Sequence, residues 1–281
     1  MTLKPEAIVG TDWLDAHLHD ADVRIVDATF LLPPTPRDAR AEYAAAHIPG
    51  AVFFDIEGIS DHSTALPHML PSAEAFAVAV GALGIGNAHH VVLYDNATMA
   101  GAARVWWTFR AFGHARVSVL DGGLPKWRRE GRALTAIPTA VSALPFRATL
   151  QPARVRSRAD ILANLAAPSA WVVDARSAGR FAGRDPEPRP GLRGGHIPGA
   201  LNVPFGSLLD SATQTYLPRE QLRAVFAAAG LPEDAPVITS CGSGVTASVL
   251  ALALHHIGRG DVAVYDGSWA EWGADAALPL E

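Results

Sequence analysis

The strongest constraint on the fold of this chain is that much of it occurs twice. Ile25-Val26-Asp27-Ala28 returns, with one conservative change, as Val172-Val173-Asp174-Ala175, 147 residues further on. His47-Ile48-Pro49-Gly50-Ala51 returns as His196-Ile197-Pro198-Gly199-Ala200, at an offset of 149. Val91–Asp95 aligns with Val237–Cys241 at 146, and Asp121-Gly122-Gly123 with Trp127 aligns with Asp266-Gly267-Ser268 with Trp272 at 145. Four anchors in one order, at nearly one offset, make the chain two copies of one domain. At roughly 150 residues per domain, two domains also suit the length. We expect a first domain over 1–138, a linker over 139–154 where prolines and isolated apolar residues show no sustained period, and a second domain over 155–281.

Within each copy, strand patterns alternate with helix patterns. The first copy reads as a helix near Thr11–His19, a strand Arg24–Asp27, a Pro-rich loop Leu32–Pro36 and a short strand Ala51–Asp55. A helix opened by Ser72 and Glu74 runs through Leu83, followed by a central strand Val91–Tyr94, a helix Val105–Phe112 and a strand Val117–Leu120. In the second copy Ser157-x-x-Asp160 caps a helix, Trp171–Asp174 and Leu201–Val203 are strands, and Arg219–Ala229 is a helix. The alternation predicts an α/β class of two tandem domains, each a mostly parallel sheet with helices on both faces. Sites in such sheets form beyond the C-terminal ends of strands.

Cys241, the single cysteine, stands at such a place. The β-branched run Val237-Ile238-Thr239 ends just before it, and Val245–Ile257 reads as a buried helix closed by Gly258. Gly242 and Gly244 are expected to let the backbone curl through φ > 0. Successive amides of that turn then face an anion, with the positive end of the helix behind them. The anion on offer is the cysteine's own thiolate. A lone cysteine is by default a small buried hydrophobe, but the loop and the helix start point to a nucleophile.

Two other motifs compete for the loop. Gly242, Gly244 and Ala247 fit a dinucleotide-binding Gly-x-Gly-x-x-Ala, yet the motif falls in the penultimate strand unit and its glycines do not recur in the first copy. A cysteine phosphatase needs an arginine where Ala247 stands. In the first copy Asp95 occupies the cysteine's position, and Asn96-Ala97-Thr98-Met99 replaces Gly-Ser-Gly-Val, so that copy has no thiolate to use.

Composition narrows the rest. With 49% hydrophobic and 18% charged residues the chain can bury substantial cores. A net charge of −5 offers no attraction to nucleic acid or to an anionic membrane. One cysteine cannot form an intramolecular disulfide, the first ten residues lack a secretory apolar region, and no apolar run reaches the ~18 residues of a membrane span. We expect a cytoplasmic protein. The histidines are scattered or adjacent (His89-His90, His255-His256) without a second thiol, so no metal is expected. Trp106, Trp107, Trp127, Trp269 and Trp272 read as core.

The repeated His-Ile-Pro-Gly-Ala, the paired Asp-Gly-Gly and Asp-Gly-Ser, and the loop Cys241-Gly-Ser-Gly-Val-Thr246 together resemble the tandem rhodanese family of sulfurtransferases. The resemblance covers nearly the whole chain. It implies a persulfide on Cys241, a catalytically inactive first domain and no organic cofactor. In that family a basic pair after the cysteine goes with thiosulfate, whereas the neutral Gly-Ser-Gly seen here goes with 3-mercaptopyruvate. Thiosulfate therefore stands as the alternative donor, and a non-catalytic rhodanese-like binding module as the alternative function. By the same resemblance, Arg180 and Arg189, in Gly-Arg-Phe and Glu-Pro-Arg, grip the α-keto acid, and a guanidinium fork suits a planar carboxylate. Arg176 reads as structural, as do His47 and His196, which recur in both copies. His68 matches a histidine that works with the loop serine, Ser243, and the resemblance puts Glu57 at the position of its acidic partner, with Asp61 the other candidate to assist it. The amides of Gly242, Ser243, Gly244, Val245 and Thr246 are expected to hold the persulfide, which a thiol such as that of thioredoxin, or cyanide, then discharges.

Overall fold

Ile8–Val9 (β1), Val23–Asp27 (β2), Val52–Phe53 (β3), His90–Tyr94 (β4) and Val117–Leu120 (β5) form one sheet in the order β1-β5-β4-β2-β3. Val155–Arg156 (β6), Trp171–Asp174 (β7), Leu201–Asn202 (β8), Val237–Ser240 (β9) and Val262–Tyr265 (β10) form a second in the order β6-β10-β9-β7-β8. The two orders are one topology repeated, and every pairing is parallel. These are features of a computed structural model that describes residues 6–32, 35–260 and 262–281. The start of the N-terminal stretch, and Pro33-Pro34 within the Pro-rich loop, lie outside the described residues.

Burial explains why the central strands lack alternation. All of β4 and β9 is buried, because helices cover both faces of a parallel sheet. Register then fixes what emerges at the strand ends. Asp27 pairs with Tyr94 at the end of β2 and β4, and Asp174 with Ser240 at the end of β7 and β9. The next residues out are Asp95 in the first copy and Cys241 in the second.

The cores repeat as well. Ile25, Ile48, Val92, Leu124 and Trp127 pack together in the first unit, and Val172, Ile197, Ile238, Trp269 and Trp272 in the second. Trp127 and Trp272 each bury their rings and donate Nε1 to a carbonyl, of Ala133 and Pro279, at 2.8 Å. Trp106, Trp107 and Trp269 are also buried. Ser157 and Asp160 form the expected capping box on Arg158–Ala166. One helix starts earlier than its pattern predicts, at Ala100 rather than Val105. Gly101 is no breaker there: a methyl group on it would lie 2.0 Å from the Ala28 carbonyl, so glycine lets the helix press onto β2.

The described residues divide into two compact units, Met1–Ser60 with Pro71–Gln151 and Ser211–Thr215, and Asp61–Leu70 with Pro152–Asp210 and Tyr216–Glu281. Most of the expected linker belongs to the first unit. Leu144 N, Thr149 N and Gln151 N donate to the carbonyls of Gly81, Phe112 and Ala111, and Phe146 meets Phe76 edge-on at 5.9 Å between ring centroids. An extended strap buries isolated side chains, and for that reason it shows no period. The ten residues Asp61–Leu70 come from the first copy in sequence but belong to the second unit, where Leu70 N donates to the Asp266 carboxylate at 2.8 Å.

Candidate active site

Cys241 follows β9 directly and is 2% exposed. Its carbonyl accepts from Trp269 N at 2.9 Å and the Gly242 carbonyl from Ala270 N at 2.8 Å, so the loop is clamped onto the helix Ser268–Trp272. Gly244 has φ +78°, as a tight curl requires. Gly242 corrects the expectation: its φ is not positive. What crowds this position is side chains: a methyl group would lie 3.0 Å from Arg180 Nη2 and 3.8 Å from Arg189 Nη1. Both guanidiniums converge on the peptide next to the cysteine.

The first copy shows what this loop does with an anion. The Asp95 carboxylate accepts from the amides of Ala97 (3.0 Å), Met99 (3.1 Å), Gly101 (3.1 Å) and Ala102 (3.4 Å). Complete burial raises its carboxyl above the usual range, and the four amide bonds oppose that rise. In the second copy Ser243 N, in register with Ala97 N, lies 3.4 Å from Cys241 Sγ. Val245 and Ala247 are in register with Met99 and Gly101. Among the described residues their amides donate to no protein acceptor. Thr246, at the start of the helix Ala247–His256, has no side-chain cap bond. The amide of Gly244 has a protein acceptor of its own. It donates to Ser268 Oγ at 3.1 Å, as does Cys241 N at 3.1 Å, and Ser268 Oγ donates to the Tyr265 carbonyl at 2.8 Å. Ser268 carries φ +49°, matching Gly123 at +53° in the first copy.

The arginines are held unequally. Arg176 is fully buried, forked onto Asp174, bonded to Glu187 at 2.7 Å, and stacked over Trp269 with its guanidinium carbon 4.2 Å from the ring centre. Arg180 Nη2 reaches the other oxygen of Glu187 at 2.5 Å and Nε approaches the first at 3.3 Å. Its side chain stays 24% exposed, whereas that of Glu187 is 2% exposed. Arg189 Nη2 donates to Ser243 Oγ at 3.3 Å and to His68 Nε2 at 3.1 Å. A guanidinium has no acceptor, so this contact uses the lone pair of His68 Nε2. Arg189 therefore stands between Ser243 and His68, where sequence reasoning joined the two directly.

Glu57 is exposed on the helix Ile56–Ile59 of the first unit, and Asp61 accepts from Ser63 N. His47 bonds the carbonyls of Tyr43 and Ile137, and His196 bonds that of Phe181 while stacking on its ring at 3.7 Å. Among the described residues no three His, Cys, Asp or Glu side chains are grouped to hold a metal, and no helix is long and apolar enough to cross a membrane. Sequence reasoning missed Ser268 and Glu187. A serine where the other copy has Gly123 was the legible sign of the first; the second had none beyond its place in Glu-Pro-Arg.

A family model described as a rhodanese-like domain matches residues 10–130 and 157–275. The chain is 44% identical to thiosulfate/3-mercaptopyruvate sulfurtransferase 1, mitochondrial, of Arabidopsis thaliana, over 98% of this chain and 78% of that protein. It is 45% identical to 3-mercaptopyruvate sulfurtransferase of Escherichia coli, over 97% of both. The crystal structure of SseA from Escherichia coli, a 3-mercaptopyruvate sulfotransferase, superposes with a TM-score of 0.84 at 42% identity, covering 94% of this chain and 99% of that one.

Proposed function

The chain belongs to the rhodanese family, and from that premise we propose that it is a sulfurtransferase carrying sulfur from 3-mercaptopyruvate through a persulfide on Cys241. The observation that carries the reading is the pair of matching loops. One set of amides binds the Asp95 carboxylate, and its counterpart surrounds Cys241 with the amides of Val245 and Ala247 still unused by the protein. A carboxylate reaches further from the backbone than a thiol sulfur does. The outer sulfur of a persulfide extends Cys241 by a comparable step, into the space those amides face.

The reaction follows from the parts. The Cys241 thiolate attacks the thiol sulfur of the donor, forming a sulfur–sulfur bond as the carbon–sulfur bond breaks. The electron pair passes into the ketone as the enolate of pyruvate, and the donor's thiol proton ends on the enolate carbon. Ser243 Oγ, held by Arg189 Nη2, relays that proton, with His68 Nε2 accepting from the same nitrogen. Arg180 and Arg189 hold the carboxylate over Gly242. A second thiolate, such as that of thioredoxin, or cyanide then takes the outer sulfur and regenerates the Cys241 thiolate. The catalytic part is the second copy, 155–281, and the first, 1–138, contributes no nucleophile because Asp95 fills its cradle. The single cysteine and the thiol chemistry suit the cytoplasm.

Intact mass spectrometry tests the reading. Incubation with 3-mercaptopyruvate is expected to add one sulfur, ~32 Da, to the wild type and nothing to Cys241→Ser. A folded Cys241→Ser that still transfers sulfur refutes it.

A further inference from the structure

We propose that Glu187 sets the charge of the sulfur donor this site accepts, by neutralising one of its two substrate-facing arginines; the inference rests on the sulfurtransferase reading above. Two guanidiniums converge on Gly242, and taken alone they present two positive charges beside the cysteine. The carboxylates around them change that sum. Asp174 is committed to Arg176 by a fork of bonds at 2.7 and 2.9 Å. Glu187 bridges Arg176 at 2.7 Å and Arg180 at 2.5 Å, buried between them. Arg176, Arg180, Asp174 and Glu187 thus form a network with no net charge. Among the described residues no carboxylate pairs with Arg189, whose polar contacts are Ser243 and His68. The two loop-facing arginines with their carboxylates therefore contribute one net positive charge beside the cysteine, that of Arg189.

A monoanionic α-keto acid matches that charge. A dianion such as thiosulfate gains from a second cation only if Arg180 is released. The placement of Glu187 favours this role over a purely structural one. Arg176 is already satisfied by Asp174, the Gly195 carbonyl and the Trp269 face, while Arg180 keeps a partly exposed guanidinium aimed at the loop. The carboxylate also holds Arg180 in place, so the arginine remains a hydrogen-bond donor to the substrate with its charge offset.

The test is the ratio of kcat/KM for thiosulfate to that for 3-mercaptopyruvate, measured at low and at high salt. Glu187→Gln keeps the size and the acceptor oxygen and removes the charge. It is expected to raise the ratio about tenfold or more at low salt, because the dianion meets one more uncompensated charge, and less at high salt. Glu187→Asp keeps the charge and should hold the ratio near that of the wild type. Ser243→Lys adds a cation to the same pocket without touching Glu187, and must move the ratio in the same direction even if Glu187→Gln fails to fold. A folded Glu187→Gln that loses both donors equally, or an unmoved ratio in Ser243→Lys, overturns the proposal. Failure of the underlying reading looks different: the wild type then gains no sulfur from 3-mercaptopyruvate, and this inference falls with it.

Discussion

Ser268 is the residue on which the geometry of the cysteine loop can be tested most sharply. Its hydroxyl accepts from two buried amides, Cys241 N and Gly244 N, and donates to the Tyr265 carbonyl, all within 3.1 Å. Ser268→Ala removes the acceptor for both amides. At roughly 1–3 kcal/mol for each buried donor left unsatisfied, the expected loss is about 2–6 kcal/mol. Ser268→Gly incurs the same loss but relieves the backbone strain of a side chain at φ +49°, about 1–2 kcal/mol. The position opens the helix Ser268–Trp272, where alanine ordinarily exceeds glycine by about 1 kcal/mol. Here the order should reverse, with Ser268→Gly the more stable of the two. Urea or thermal unfolding reads that order. For function, both variants free the amides that position Cys241, and the persulfide formed from 3-mercaptopyruvate should be shorter-lived by mass spectrometry. Alanine more stable than glycine, or both variants within about 0.5 kcal/mol of the wild type, refutes the argument.

Asp95→Ala removes a buried acceptor of four amides and should destabilise the protein by about 4 kcal/mol or more while leaving persulfide formation on Cys241 intact; loss of that chemistry in a folded variant contradicts a non-catalytic first copy. Gly242→Ala, without backbone strain but with its methyl 3.0 Å from Arg180 Nη2, should raise KM for 3-mercaptopyruvate with little change in melting temperature, whereas Gly244→Ala should lower both stability and turnover; equal effects would show that the two glycines serve one purpose. His90 is held down at about 4 by burial and by Arg116, below its ordinary value. The folded state thus favours its neutral form, and the stability this contributes is complete above pH 6.5 and lost as pH falls toward 4, on the order of 2 kcal/mol. His90→Gln should flatten that acid limb relative to wild type. Asp27, pushed up to about 6 by burial, acts in the opposite sense, so the comparison is made at each pH.

Much of this protein was legible in its sequence because the informative features are local. A repeat at nearly constant offset determines two copies whatever their packing. Strands alternating with helices determine parallel sheets, because the connections between neighbouring strands must cross over a face. The strand end and helix start place Cys241, the proposed nucleophile, at the carboxyl edge of β9, and the first copy has Asp95 at that position. What tertiary structure alone decided are relations between residues far apart in the chain. The tip of Arg180, sixty-two positions earlier, closes on Gly242, whose φ by itself demands no glycine. Arg189 bridges His68 and Ser243, and Asp61–Leu70 belongs to the unit of the other copy. Ser268 accepts strain to hold the loop from the next strand's end, and Glu187 offsets one arginine's charge. No periodicity records such contacts, because hydrogen bonds and ion pairs depend on where side chains converge in space, whereas the period of a pattern reports only which face of an element is buried.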